Sequence, residues 1–114
     1  MRRSWKWLLA TACGSGLWML TGASVFAAEP EFAIAIKDHR FVPDVVTAPA
    51  GQKLKFVVKN EDATTSEFES TDFHREKLVQ PGREVTVFVG PLDAGTYEFF
   101  DDFHPETRGR LVVK

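Results

Sequence analysis

The chain has 114 residues, 44% of them hydrophobic and 26% charged, with 14 Lys and Arg against 16 Asp and Glu and a formal net charge of −2. That length holds one small domain, and a single Cys excludes an intrachain disulfide. The acidic balance argues against nucleic acid as a partner and suits a cationic ligand.

Residues 1–27 read unlike the rest. Arg2, Arg3 and Lys6 form a basic head. The apolar run from Trp7 to Leu20 is softened by Thr11, Gly14 and Ser15, and it is short for a bilayer span. It ends in Ser24-Val25-Phe26-Ala27, where Ala27 and Val25 fit a secretory cleavage site. The pattern predicts a signal peptide cut after Ala27 and a mature, periplasmic chain of residues 28–114 without membrane insertion. Two other readings are an uncleaved anchor and lipidation at Cys13, although Ala10-Thr11-Ala12-Cys13 lacks the usual Leu of a lipobox. Trp5, Trp7, Trp18, Cys13, Met1 and Met19 all leave with the leader, so the mature chain has no sulfur. It keeps 11 of the 14 basic residues against all 16 acidic ones, a net charge of about −5. A packed core built on every Phe but Phe26 must hold it together.

The mature chain follows period two. Phe32, Ile34 and Ile36 alternate with Ala33, Ala35 and Lys37, as a half-buried strand requires. The pattern repeats in Lys53–Lys59, Glu84–Val89, Thr96–Phe100 and Arg110–Val113, with weaker strands near Val45-Val46 and Glu67–Ser70. Turn-forming clusters separate them: Pro49-Ala50-Gly51, Asn60-Glu61-Asp62, Gln80-Pro81-Gly82, Gly90 to Gly95, and Arg108-Gly109. No segment carries a helical period. The expectation is an all-β, antiparallel Greek-key β-sandwich in one domain. Periodicity alone fits a protein-interaction module equally well.

Candidate ligands concentrate in three places. Asp38-His39-Arg40 closes the first strand. In Glu67-Phe68-Glu69 a strand puts both carboxylates on one face, opposite Phe68. There they repel unless a cation lies between them, and Arg75 and Lys77 are candidate neutralisers. Asp101-Asp102-Phe103-His104-Pro105-Glu106 offers four donors in six residues on what reads as a loop, with Pro105 stiffening the backbone after His104. Such a loop is also simply a solvated acidic turn. His39 and His104 are the two histidines placed to meet, whereas His74 sits in a charged loop and reads as exposed.

Phe41-x-Pro43, Ala48-Pro49-Ala50-Gly51-Gln52-Lys53-Leu54, Phe56-x-Val58-x-Asn60-x-Asp62, Pro81-Gly82 and Gly95-Thr96-Tyr97-x-Phe99 together resemble the cupredoxins over nearly all of residues 31–114. The resemblance implies a cupredoxin-like Greek-key sandwich with its metal site at the His104 loop. Blue-copper members carry Cys-x-x-His-x-x-Met-x-Gly there, with a second His upstream. On this chain the loop His is His104 and the Gly is Gly109, while Asp101 stands for the Cys, Thr107 for the Met and Ser66 for the upstream His. A blue-copper centre needs a thiolate, and none remains.

Glu67-Phe68-Glu69-Ser70, Glu76-Lys77, Gly90-Pro91-Leu92 and Phe103-His104-Pro105 further resemble small periplasmic cupredoxin-like proteins of bacterial iron-uptake systems. The resemblance implies a high-affinity iron permease and a second periplasmic metal-binding protein as partners. The expected function is binding of iron, copper or both in support of ferrous iron uptake, through oxidation of the ion or its transfer. The expected ligands are His104, Asp101 or Asp102, Glu67, Glu69 and His39, converging on one site. A ferroxidase-type activity, a Cu(II) carrier and a metal-free interaction sandwich are the competing outcomes.

Overall fold

The computed structural model describes residues 28–114; the expected leader, its cleavage after Ala27 and Cys13 lie outside the described residues. Nine strands follow in chain order: β1 (Glu31–Lys37), β2 (Arg40–Val42), β3 (Val45–Ala48), β4 (Leu54–Asn60), β5 (Ser66–Ser70), β6 (Arg75–Val79), β7 (Glu84–Val89), β8 (Gly95–Asp101) and β9 (His104–Val113). They form two sheets, one in the order β2-β1-β4-β7 and the other in the order β3-β9-β8-β5-β6. Among the described residues no helix is long and apolar enough to cross a membrane.

Alternation in the sequence becomes alternation in burial. In β4, Leu54, Phe56, Val58 and Asn60 point inward, and in β5 Ser66, Phe68 and Ser70 do. Phenylalanines from both sheets fill the space between them. The Phe56 ring meets Phe68 and Phe99 edge-on at centroid distances of 6.2 and 6.4 Å, and Phe41 meets Phe99 at 5.0 Å. Aromatic rings favour these tilted contacts at such spacings, and each large buried side chain contributes about 1.5–3 kcal/mol by leaving water. This aromatic core does the work that a disulfide does in many small domains.

The all-β sandwich is the expected one, with three differences. It is not purely antiparallel, because β1 runs parallel to β4 and β3 runs parallel to β9. Period two reports which side chains are buried and says nothing of a neighbour's direction. β2 and β6 were absent from the strand expectation, because β2 is three residues long and β6 exposes four of its five residues. Finally, the donor-rich run at residues 101–106 is no loop. Asp101 ends β8 and pairs with His104 at the start of β9, which leaves only Asp102 and Phe103 as the turn, beside an irregularity in the ladder at Phe100/Asp101.

Gly109 pairs with Phe99 across the β8–β9 ladder, and the Phe99 ring lies over it. A Cβ there would meet the ring carbons at 2.3 and 2.4 Å. Gly109→Ala is expected to lower the unfolding free energy by about 1–3 kcal/mol through overpacking. Urea denaturation measures it, and a fully buried Phe99 leaves little room for relief.

Candidate metal centre

Asp101 is fully buried at the end of β8. Its Oδ1 accepts the backbone N–H groups of Glu67 on β5 at 2.9 Å and of Phe103 in the turn at 3.0 Å. Its Oδ2 lies 3.1 Å from Nδ1 of His104. Ser66 Oγ is buried nearby without a well-aligned hydrogen bond, although it still favours the charged carboxylate. Burial pushes the Asp101 pKa up, but the Glu67 amide, Ser66, His104 and the Phe103 amide outweigh it and hold the carboxylate below its ordinary range. With its Nδ1 proton donated to Asp101, a neutral His104 carries its lone pair on Nε2. Asp101 therefore orients the imidazole, and its carboxylate is buried and engaged by three partners within the protein.

His39 comes from the opposite sheet. It lies in the two-residue turn between β1 and β2, half exposed, with its Nδ1 3.8 Å from Asp62 Oδ2. Its ring sits 4.2 Å from the His104 ring, centroid to centroid, at an interplanar angle of 38°. The two histidines thus meet at one end of the sandwich, each with a carboxylate on its Nδ1 side. Neither Nε2 has a hydrogen-bond partner among the described residues.

Glu67, Glu69 and Asp102 lie elsewhere. Glu67 and Glu69 project from the outer face of β5, opposite buried Phe68, and Asp102 joins them with its backbone N–H on Glu67 O at 3.0 Å. Adjacent Asp101 and Asp102 point to opposite sides, so the six expected ligands do not converge on one point. The outer face adds a residue that sequence reasoning did not assign: Glu76 of β6 faces Glu69 in the β5–β6 register. Glu67, Glu69 and Glu76 each bring a carboxylate oxygen within 4.8 Å of the others. The signal for Glu76 was the hairpin register itself, which is invisible unless β6 is read as a strand.

The expected neutralisers do not serve this face. Lys77 pairs with Phe68 across the hairpin, and Arg75 donates its Nε–H to Phe88 O on β7 at 2.7 Å. Among the described residues neither forms an ion pair with Glu67 or Glu69. Desolvation first, then the neighbouring carboxylates, raises the pKa of both. Glu69 Oε1 is closed off from water without a hydrogen-bond partner. His74 is exposed at the β5–β6 turn, as expected, and borders a shallow hollow with Glu69 and Glu76.

The residues present do not fit a blue-copper centre. The carboxylate at the thiolate position faces inward and is fully engaged. Thr107, at the thioether position, donates its hydroxyl to His39 O at 2.6 Å. Ser66 supplies no imidazole.

A model of the cupredoxin-like domain family matches residues 9–113. An uncharacterized protein of Rickettsia prowazekii (strain Madrid E) is 43% identical over 83 residues, which is 73% of this chain and 66% of that protein's length. The chain thus spans just under two thirds of that relative. Among solved structures, auracyanin A, described as a "blue" copper protein from Chloroflexus aurantiacus, superimposes with a TM-score of 0.66 at 19% identity, covering 76% of this chain and 100% of its own. Amicyanin from Paracoccus versutus gives 0.59 at 18% identity over 79% and 85% of the two chains. A purple cupredoxin from Nitrosopumilus maritimus gives 0.56 at 18% identity over 72% and 98%. At these identities the likeness is one of fold.

Two predictions carry opposite signs. Because the Asp101 pKa is lowered, its charge stabilises the fold above the ordinary carboxylate range, and that stability is lost as the pH falls below about 4. Asp101→Asn places an amide against two N–H donors and is expected to cost about 1–3 kcal/mol at neutral pH in urea denaturation, with the gap closing in acid. Glu67 and Glu69 have raised pKa values, so the fold prefers them protonated, and that preference is lost as the pH rises through them. Glu67→Gln and Glu69→Gln are therefore expected to raise the Tm at neutral pH and to leave it unchanged at about pH 3, as thermal circular dichroism in metal-free buffer will show.

Proposed function

The chain belongs to the cupredoxin-like domain family, and from that premise we propose that it is a periplasmic metal carrier that takes up its cargo ion with nitrogen and oxygen donors instead of sulfur. The observation that supports this reading is the pair of imidazoles from opposite sheets, 4.2 Å apart, with His104 locked by a buried carboxylate. A carboxylate on Nδ1 fixes the ring, sets the tautomer and makes Nε2 a stronger donor. Paired imidazoles suit Cu(II), and the carboxylate face of Glu67, Glu69, Glu76 and Asp102 suits iron.

The proposed role is to bind such an ion in the periplasm and release it to a membrane permease of an iron-uptake system, beside a second periplasmic metal-binding protein. An exposed site suits hand-over. His39 is half exposed and His104 keeps about a quarter of its side chain open, so a partner can reach the ion without the sandwich opening. The carboxylate face, at less than full exposure and with mutual repulsion, gains from any cation that neutralises it.

The test is titration of the purified protein with Cu(II) in air and with Fe(II) without oxygen. His39→Ala and His104→Ala are each expected to weaken Cu(II) binding by about tenfold or more, as loss of a ligand does. Glu69→Gln is expected to weaken iron binding and to spare copper. A protein that binds neither ion, or whose Cu(II) affinity ignores both histidine variants, overturns the reading.

A further inference from the structure

His39 stands in a backbone conformation that its residue type seldom adopts. It and Asp38 both have left-handed φ values, 57° and 52°, in the two-residue turn between β1 and β2. A turn of this hand suits the twist of a hairpin, but for non-glycine residues it persists only when the surroundings hold it. Two side chains from distant parts of the chain supply that hold. The carboxylate of Asp62 accepts the N–H of Asp38 on Oδ1 at 2.7 Å and the N–H of His39 on Oδ2 at 3.0 Å. From the other side, Thr107 Oγ1 donates to His39 O at 2.6 Å.

Both supports are themselves fixed. Thr107 is buried on β9. The Asp62 N–H donates to Oδ1 of Asn60 at 2.9 Å, and buried Asn60 donates its Nδ2–H groups to Thr64 O at 2.7 Å and Val79 O at 2.9 Å. The peptide groups on both sides of His39 are thus clamped to β4, to the turn after it and to β9. The imidazole lies against His104, with its Nδ1 3.8 Å from Asp62 Oδ2.

We propose that Asp62 and Thr107 are positioning residues that hold His39 ready beside His104, so that the imidazole pair is formed before an ion arrives. The inference rests on the metal-carrier reading for its purpose, though not for its geometry. It assigns a task to the hydroxyl at position 107: that side chain holds the second imidazole's backbone. A preset pair binds without first ordering the hairpin tip, and loss of such outer partners typically costs ten- to a hundredfold in metal affinity.

The test compares Thr107→Val, which keeps shape and loses the donor, with Thr107→Ser, which keeps the donor. Asp62→Asn tests the other support independently. The first readout needs no metal: the nuclear Overhauser contact between the His39 and His104 rings in the purified protein. The contact is expected to weaken in Thr107→Val and Asp62→Asn and to survive in Thr107→Ser. Cu(II) affinity is expected to fall about tenfold in the first two and to stay near wild type in the third. The nitrogen hyperfine pattern of bound Cu(II) should change from two imidazoles to one. Amide exchange in β4 and β9 tells a displaced His39 from an unfolded chain. An unaltered ring contact in folded Thr107→Val and Asp62→Asn overturns the inference. If the wild type binds no metal, the carrier reading fails, and the ring contact alone still decides whether these residues position His39.

Discussion

A carboxylate with none of its surface open to water must have its charge answered by the fold around it. Asp101 meets that demand with two backbone N–H groups and an imidazole drawn from β5, the tight turn after β8, and the start of β9. Each partner is thereby held to the others. The turn of two residues, the register of His104 opposite Asp101 and the orientation of that imidazole all serve one buried charge. A cysteine at the same place would ask for nothing comparable from its neighbours unless a metal were present. The end of the sandwich is therefore built around a fixed internal anion.

Asp62 repeats the arrangement on the other sheet. It too accepts two backbone N–H groups and lies on the Nδ1 side of a histidine, although it is partly exposed and its contact with the ring is longer. One carboxylate from each sheet thus steers one imidazole from each sheet. Hydrogen bonds of this charge-assisted kind are roughly twice as strong as neutral ones, which suits side chains at a solvent-facing end where packing contributes little. The acidic face is separate from this end because β8 stops at Asp101: Asp101 is buried inside, whereas Asp102 lies in the exposed turn with its N–H on Glu67 O.

The sequence made the layering legible. Alternation in residues 31–37, 54–60 and 84–89 gave strands and their buried faces, and Phe68 flanked by Glu67 and Glu69 gave the orientation of β5. The meeting of His39 and His104 was also within reach, since one closes the first strand and the other precedes the last. What escaped depended on partners far away in sequence. β6 reads as charged because it is an edge strand with little to bury, and without it Glu76 has no visible neighbour. Asp62 reads as an ordinary turn residue, because nothing local shows that its carboxylate will cap a turn more than twenty residues earlier. The engagement of Asp101 was hidden for a related reason: donor type is written in the sequence, whereas burial and hydrogen-bond partners are set by tertiary structure.

Gly109 stands where the resemblance to the blue-copper loop puts its closing glycine, and it is natural to take it as a trace of a metal site. The Phe99 ring that rests on it gives another cause. These two positions form a matched pair, small beneath large, so drift at one is penalised unless the other changes as well. A chain can lack every sulfur donor around such a pair and still require the glycine. Part of a metal-loop signature can therefore be inherited as packing, and its presence in a chain of this family is no measure of whether the chemistry once attached to it survives.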